Sequence, residues 1–426
     1  MKVLVVGRGG REHAVVQKLT RDGVAEIYAA PGNVGMTAAK LVPINETEVA
    51  ALADFAAAKG IDLTIVGPES ALVAGIVDEF NSRGLRIFGP TAAAAQLEGS
   101  KAFAKQLMAK HGIPTAAYAE FTEAEPALAY VREKGLPFVI KADGLAAGKG
   151  VVIPTSLAEA ESTISSMLSG SAFGDSGKRI VIEEFLDGEE FSLMSFVAGD
   201  KFVPMPVARD YKRAFDGDAG LNTGGMGAHS PNPLIADADT AEAIATVVSP
   251  TVKALIAEGI PFTGVLYAGL IKTDDGVKVI EFNVRFGDPE TEVVLPRLET
   301  PLVELIDNLI TLPSVDEPNG VSKPTEISAE WSSKPAVGVV LATKGYPGDF
   351  EKGGVISGLE KLEEADVYHM GTALSDNGDL ISNGGRVLFI AAKGETLADA
   401  RAKVYQEIEK IEAPTLFHRK DIALNK

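Results

Sequence analysis

A short stretch near residue 280 carries the side chains best suited to handling charge. In residues 279–291, VIEFNVRFGDPET, an extended chain puts Glu281 and Asn283 on one face and Ile280, Phe282 and Val284 on the other, against an apolar layer. A carboxylate beside an amide oxygen suits a hard divalent cation, Mg²⁺ or Mn²⁺, held by few protein oxygens plus substrate phosphates. Arg285 follows directly. The run Phe286-Gly287-Asp288-Pro289-Glu290 then predicts a tight turn that offers backbone N–H groups to an anion.

Two glycine-rich segments point the same way. Residues 142–150, ADGLAAGKG, join two strands and are too rich in glycine to be rigid unless something binds them, which predicts a lid over phosphates. No Gly-Lys-Ser/Thr opens a helix there, so this is not a Walker A loop. Residues 208–233 have no periodicity, and a structureless stretch of that length is read as a functional loop, with Thr223-Gly224-Gly225-Met226-Gly227 allowing close backbone approach to a ligand.

The elements around these residues alternate. In the first hundred residues KVLVVG, EIYAA, DLTIVG and RIFG read as strands separated by helical stretches, a parallel α/β domain whose carboxyl edge gathers the loops 7–12, 31–35 and 67–69 as a substrate site. A dinucleotide fold fails there: the third glycine of G-x-G-x-x-G is replaced by Glu12, and the second strand ends in Ala29-Ala30-Pro31 with no acid for a ribose. The alanine-rich residues 91–95 lead into a helix over 100–110, closed by Gly112 and Pro114. Strands are predicted over 137–141, 151–154, 179–184, 191–197, 264–272 and 277–284. Pro313, Pro318 and Pro324, with Asn319-Gly320, mark a connection to a last domain that reads as structural, without a dense polar cluster.

Composition narrows the chemistry. A chain of 426 residues with 46% hydrophobic content is too long for one core and implies several domains. Zero cysteines remove disulfides, thiolate metal sites and a cysteine nucleophile. A net charge of −19 and a pI near 4.8 argue against nucleic acid as a partner. No apolar run reaches membrane-spanning length, and a cytoplasmic location is the expectation. His13, His111, His229, His369 and His418 have no metal-ligand spacing and read as caps or surface residues, Trp331 as a packing anchor.

Taken in order and spacing, KADGLAAGKGV, IEEFLDGEEFS, NTGGMGA and EFNVRFGDPET, with GRGGREHA near the start and VGPE after it, resemble the ATP-grasp superfamily, specifically its phosphoribosylamine–glycine ligase family. The match runs from residue 1 to about 421. The resemblance implies an N-terminal parallel α/β (pre-ATP-grasp) domain over 1–100 and an α+β ATP-grasp core over 101–315. A mobile lid subdomain at about 120–190 and a small C-terminal α+β domain over 325–426 complete it. It implies ATP-dependent ligation of glycine to 5-phosphoribosylamine through glycyl phosphate, with Mg²⁺ or Mn²⁺, small-molecule substrates only, and a monomer or weak oligomer.

It also implies roles. Lys105, Lys141 and the lid with Gly148 and Lys149 would meet the ATP phosphates. Glu183, Glu184 and Leu186 would read adenine through backbone groups, and Glu190 would hold the ribose. Glu281 and Asn283 would hold the metal. Gly9, Gly10 and Arg11 with Gly287, Asp288 and Pro289 would hold phosphoribosylamine, and Asp210, Lys212, Thr223, Gly224, Gly225 and Met226 would line the glycine side. Arg285 would share the developing charge. The chain departs from the family's usual residues at Arg209, Tyr211, Leu221 and His229. Another superfamily ligase or carboxylase acting on a purine intermediate is the alternative.

Overall fold

The computed structural model describes residues 1–144, 150–170, 177–311 and 327–424, together with the paired two-residue strands Val315–Asp316 and Ser322–Lys323. The glycine-rich residues 145–149, including Gly148 and Lys149, and the prolines 313, 318 and 324 with Asn319-Gly320 lie outside the described residues.

Strand Lys2–Gly7 is apolar on both faces because helices or further core cover both, as a parallel sheet requires. It lies at the centre of a five-stranded parallel sheet, between Glu26–Pro31 and Leu63–Val66, with Lys40–Leu41 and Ile87–Phe88 at the edges. Helix Gly10–Arg21 follows the first strand directly. Glu12, the residue that breaks the dinucleotide pattern, has a structural use here. Its carboxylate accepts from Gly9 N (2.5 Å), and a Cβ on Gly67 would come within 1.9 Å of it.

The alanine-rich residues 91–95 do more than lead into a helix: they form one, Ala92–Gly99, before Ser100 caps the next, Lys101–His111. That second helix ends at Gly112 with φ 67°, a left-handed cap that suits glycine. Asp143 pins its start, accepting from Ser100 Oγ (3.0 Å) and Ala102 N (2.8 Å).

Two antiparallel sheets form the middle of the chain. One orders Tyr118–Phe121, Ile180–Glu184, Phe138–Ala142 and Val151–Val152, and buries a small core of its own under helices Ala124–Lys134 and Leu157–Leu168. The other orders Lys201–Pro204, Glu189–Ala198, Thr263–Thr273 and Gly276–Asn283. In its last pair the register slips: Gly269 faces Glu281 but Leu270 faces Val279. Ile280 is the extra residue of this bulge. It therefore lines the cavity, whereas simple alternation placed it against the apolar layer with Phe282 and Val284.

Residues 208–233 are not structureless. They hold strands Arg209–Asp210, Arg213–Phe215, Ala219–Asn222 and Gly227–Ser230. The first and last join the C-terminal sheet, in the order Arg209–Asp210, Gly227–Ser230, Ala336–Thr343, Arg386–Lys393, Asp366–His369. Alternation was invisible because these strands are two to four residues long. Helix Leu397–Ile408 packs on that sheet.

By length and composition one described segment, Asp237–Ala257, is apolar enough to cross a membrane, an exception to the sequence expectation. Ala243, Val247, Val248, Val252 and Leu255 pack one face of it into the protein core. Pro250 lacks an N–H, and the helix passes through a π-turn, Ile244–Val248, just before it.

Candidate functional site

The ends of these sheets and the helix Lys101–His111 enclose one cavity of about 700 Å³. At one end sits a buried lysine pair. Lys105, on the helix, and Lys141, on Phe138–Ala142, converge on a single oxygen, Glu183 Oε2, at 3.0 and 2.9 Å. Lys105 Nζ also donates to Thr115 Oγ1 (2.8 Å) and Lys141 Nζ to the Ile280 carbonyl (2.9 Å). Lys105, read alone, resembles a solvated helix lysine; in the fold it is 2% exposed. Burial, with Lys141 nearby, lowers its pKa to about 8 against the pull of Glu183. Glu184 N donates to Ala117 O (2.9 Å), and Phe185, Leu186 and Glu190 line the same end.

The middle of the cavity holds the oxygen pair. Burial disfavours a charged Glu281, yet its pKa is lowered because Lys101, Lys212, Lys141 and Arg285 surround it. Asn283 Oδ1 accepts from Arg285 Nη2 (3.2 Å). No described group of three or more His, Asp or Glu side chains is arranged to hold a metal ion by itself. One ionised carboxylate and one amide oxygen suit a hard cation that takes its other ligands from phosphate and water. Asp210 and Lys212 approach within 3.8 Å, and Lys212 donates to Glu190 (2.7 Å). Burial pushes the Asp210 carboxyl up despite Lys212, with Glu290, Glu190 and Glu281 adding to the shift.

At the far end two arginines share acids supplied by the first hundred residues. Arg285 Nη2 pairs with Glu98 Oε1 (3.0 Å), while Glu98 Oε2 accepts from Val284 N (2.8 Å). Glu69 lies between Arg285 (3.3 Å) and Arg11 (3.9 Å), which together bring its carboxyl down to about 2 although burial opposes this. Arg11 also donates to the Phe286 carbonyl (3.2 Å). The turn after Arg285 is less open to an anion than its sequence suggests. Gly287 N points at Met194 Sδ (3.2 Å), and Glu290 is buried, bonded to Ser192 and Tyr267.

Among the other sequence candidates, Arg11, Thr223, Gly224 and Asp288 line the cavity. Gly9, Gly10, Gly225, Met226, Gly287 and Pro289 stand behind that lining. Met226 is fully buried, and Pro289 packs so closely on Gly225 that a Cβ there would meet it at 2.5 Å. The last domain is not free of polar groups at the site. Arg386 reaches the cavity and pairs with Asp288 (2.8 Å). Sequence reasoning placed Glu69 only within a substrate-site loop, without a role of its own, and passed over Glu98 and Arg386. The acid next to a glycine in Leu97-Glu98-Gly99-Ser100-Lys101, just before the lysine-bearing helix, could have flagged Glu98, but nothing local marks Arg386. His13 and His229 are buried, not surface residues, and His13 accepts from His369 N (2.9 Å) across the join between the first and last domains.

The chain has relatives among known proteins. Phosphoribosylglycinamide synthetase profiles match in three consecutive parts: the N domain over residues 1–98, the ATP-grasp (A) domain over 99–291 and the C domain over 336–425. A phosphoribosylamine–glycine ligase of Halalkalibacterium halodurans is 51% identical over 425 residues, 99% of this chain and 96% of the relative. The chain belongs to the phosphoribosylglycinamide synthetase family. The solved phosphoribosylamine–glycine ligase of Thermotoga maritima superposes with a TM-score of 0.84 at 35% identity, covering 99% of this chain and 100% of that one. The fold reaches further. The biotin carboxylase domain of Hydrogenobacter thermophilus 2-oxoglutarate carboxylase gives a TM-score of 0.72 at 16% identity, covering 98% and 91% of the two chains. Membership in the phosphoribosylglycinamide synthetase family accounts for the three-part α/β architecture.

Proposed function

We propose that this chain joins glycine to 5-phosphoribosylamine at the expense of ATP, giving glycinamide ribonucleotide, ADP and phosphate in purine biosynthesis. The observation that carries the reading is the single cavity in which a lysine pair, an oxygen pair and an arginine–carboxylate cluster lie in sequence within a chain of this family.

A carboxylate is a poor acyl donor because its leaving group would be an oxide. Phosphorylation provides a better one. A glycine carboxylate oxygen attacks the γ-phosphorus, the bond to the bridging oxygen breaks, and ADP leaves. The amine nitrogen of phosphoribosylamine then attacks the acyl carbon, the C–O bond breaks, phosphate leaves, and the nitrogen loses a proton. Such a path needs positioning and charge neutralisation more than a side-chain nucleophile.

Lys105, Lys141 and Lys149 neutralise the ATP phosphates, and Gly148 offers them a backbone N–H. Glu183, Glu184 and Leu186 border the adenine, and Glu190 holds the ribose. Glu281 and Asn283 would hold a divalent cation, Mg²⁺ or Mn²⁺, which would supply charge neutralisation at the terminal phosphates. Asp210, Lys212, Thr223 and Gly224 orient glycine, with Gly225 and Met226 supporting that turn from behind. Arg11 and Asp288 face phosphoribosylamine, with Gly9, Gly10, Gly287 and Pro289 shaping the turns behind them. Arg285, held by Glu98 and Glu69, presents its guanidinium to the acyl phosphate.

The test is product analysis. ADP release should require both glycine and freshly generated phosphoribosylamine for amide formation, and ¹⁸O in the glycine carboxylate should appear once in the released phosphate. AMP as the product, or amide formed alongside unlabelled phosphate, would remove the acyl-phosphate route.

A further inference from the structure

Arg386 stands on the first residue of strand Arg386–Lys393, in the last domain, yet its side chain enters the cavity built by the other two. Among the described residues one nitrogen does all of its bonding: Nη1 donates to the Gly224 carbonyl (2.6 Å) and the Asp288 carbonyl (3.2 Å), and pairs with Asp288 Oδ1 (2.8 Å). Nε and Nη2 have no partner among the described residues, and neither is among the buried unpaired atoms. The side chain is 20% exposed. Those two N–H groups form one planar edge of the guanidinium, the geometry that grips two oxygens of a phosphate or carboxylate at once.

The surroundings keep that edge in place. The guanidinium lies against Gly224, where an added Cβ would be 3.0 Å from Cζ, 3.1 Å from Nη2 and 3.3 Å from Nε. Gly224 N in turn donates to the Tyr346 hydroxyl (3.1 Å). On the other side Asp288 adjoins the first turn of the twelve-residue helix Gly10–Arg21, since a Cβ on Gly9 would meet Asp288 Oδ2 at 3.5 Å. Helix starts carry partial positive charge and favour phosphate. Arg11 and Arg386 both face Asp288 and repel each other. An anion with more than one oxygen would relieve that repulsion.

We propose that Arg386 binds the phosphate of the phosphoribosyl substrate through its Nε and Nη2 edge, making the last domain part of the substrate site. The inference rests on the ligase reading above. ATP phosphates have the lysine pair at the opposite end, and glycine has Asp210 and Lys212 near the oxygen pair. Of the anionic groups in the reaction, the ribosyl phosphate is the one left for the Arg386 end.

Steady-state kinetics of the full chain test this with Arg386→Gln, Arg386→Lys and Gly224→Ala, whose methyl would displace the guanidinium. Each should raise KM for phosphoribosylamine about tenfold or more; in the two Arg386 variants kcat and the KM values for ATP and glycine stay within about twofold, and in Gly224→Ala, whose residue also borders glycine, the KM for ATP does. Ribose 5-phosphate should inhibit the wild type competitively against phosphoribosylamine and lose potency on Arg386→Gln; ribose should inhibit neither. A rise confined to KM for glycine would assign the edge to a carboxylate and overturn the proposal. Unchanged kinetics would overturn it too, as would a uniform loss that includes ATP affinity and reduces Arg386 to a tie between two loops. Should Arg386→Gln not fold, the other two variants decide. Were the wild type to show no glycine-dependent ADP release, the ligase reading would fall, and calorimetric binding of ribose 5-phosphate to wild type and variant would still judge Arg386.

Discussion

Burial decides the charge of Lys105 more than its ion pair does. Its ammonium, at about 8, loses its proton within an accessible range, so the free enzyme should bind ATP progressively less well as pH rises through 8. Lys105→Arg should move that decline to higher pH; an ATP affinity flat from pH 7 to pH 9 would detach Lys105 from the phosphates. Arg285 makes the complementary case. Its planar fork reaches Glu98, Glu69 and Asn283 at once, which an ammonium cannot do. Arg285→Lys should therefore lose about 10²-fold in kcat while far-ultraviolet dichroism stays unchanged; wild-type turnover would exclude it from the reaction. Glu292 behaves oppositely. Fully buried with both carboxyl oxygens unpaired, it has its pKa raised by burial and then by Asp288. The folded state thus binds its proton more tightly than the unfolded chain, so stability is fully present below about pH 4.3 and falls as pH rises above it. Glu292→Gln should raise Tm at pH 8 relative to wild type and bring no such gain at pH 4, measured by thermal melts across that range. At this scale the sequence named Glu281, Asn283 and Arg285 but not the acids that hold Arg285, because Glu98 lies 187 positions away and only the fold joins them.

Elements were legible where they are long. Four of the five parallel strands, the helix Lys101–His111 and the paired strands Thr263–Thr273 and Gly276–Asn283 follow from apolar runs and from caps such as Gly112, whereas the exposed two-residue edge strand Lys40–Leu41 has no such run. Residues 208–233 were not, since their order comes from pairing with Ala336–Thr343, more than a hundred residues later. One departure from the family's usual residues has a visible use there. Tyr211 lies under the guanidinium groups of Arg209 (5.3 Å) and Arg419 (5.2 Å), and its hydroxyl accepts from Ala423 N (3.0 Å), tying the segment to the chain's end. The bulge at Ile280 was equally hidden, because alternation cannot register one extra residue. The loop after Leu63–Val66 offers a sharp test of such constraints. Gly67→Ala would drive a methyl into the Glu12 carboxylate that caps Gly9. It should cost about 1–3 kcal/mol, read as a lower Tm, and weaken phosphoribosylamine binding more than ATP binding. A variant with wild-type Tm would mean that Glu12 can move without consequence.

Across the whole molecule the three parts share one cluster, although the last domain and the sheet that begins with Tyr118–Phe121 also bury smaller clusters of their own. Val3 and Val5 of the first sheet share a cluster with Phe196 and Phe286 of the middle and with Val340 and Phe389 of the last domain. Strand Gly227–Ser230, close to Gly224 in the cavity lining, has its hydrogen-bonding edge filled by Ala336–Thr343. Removing the last domain would unpair that edge, expose the shared apolar face and take away Arg386. The parts should therefore unfold together, and the protein supplies its own reporter. Trp331 is the single tryptophan, packs against that shared cluster and bridges to Leu298 in the middle of the chain. Thermal unfolding followed by Trp331 fluorescence should coincide with the loss of helical dichroism, and both should shift upward together when Mg-ATP is added, since a ligand of the native state stabilises whatever unfolds with its site. Two separated transitions, with only one moved by nucleotide, would mean that the last domain melts independently and that its grip on the site strand is weak.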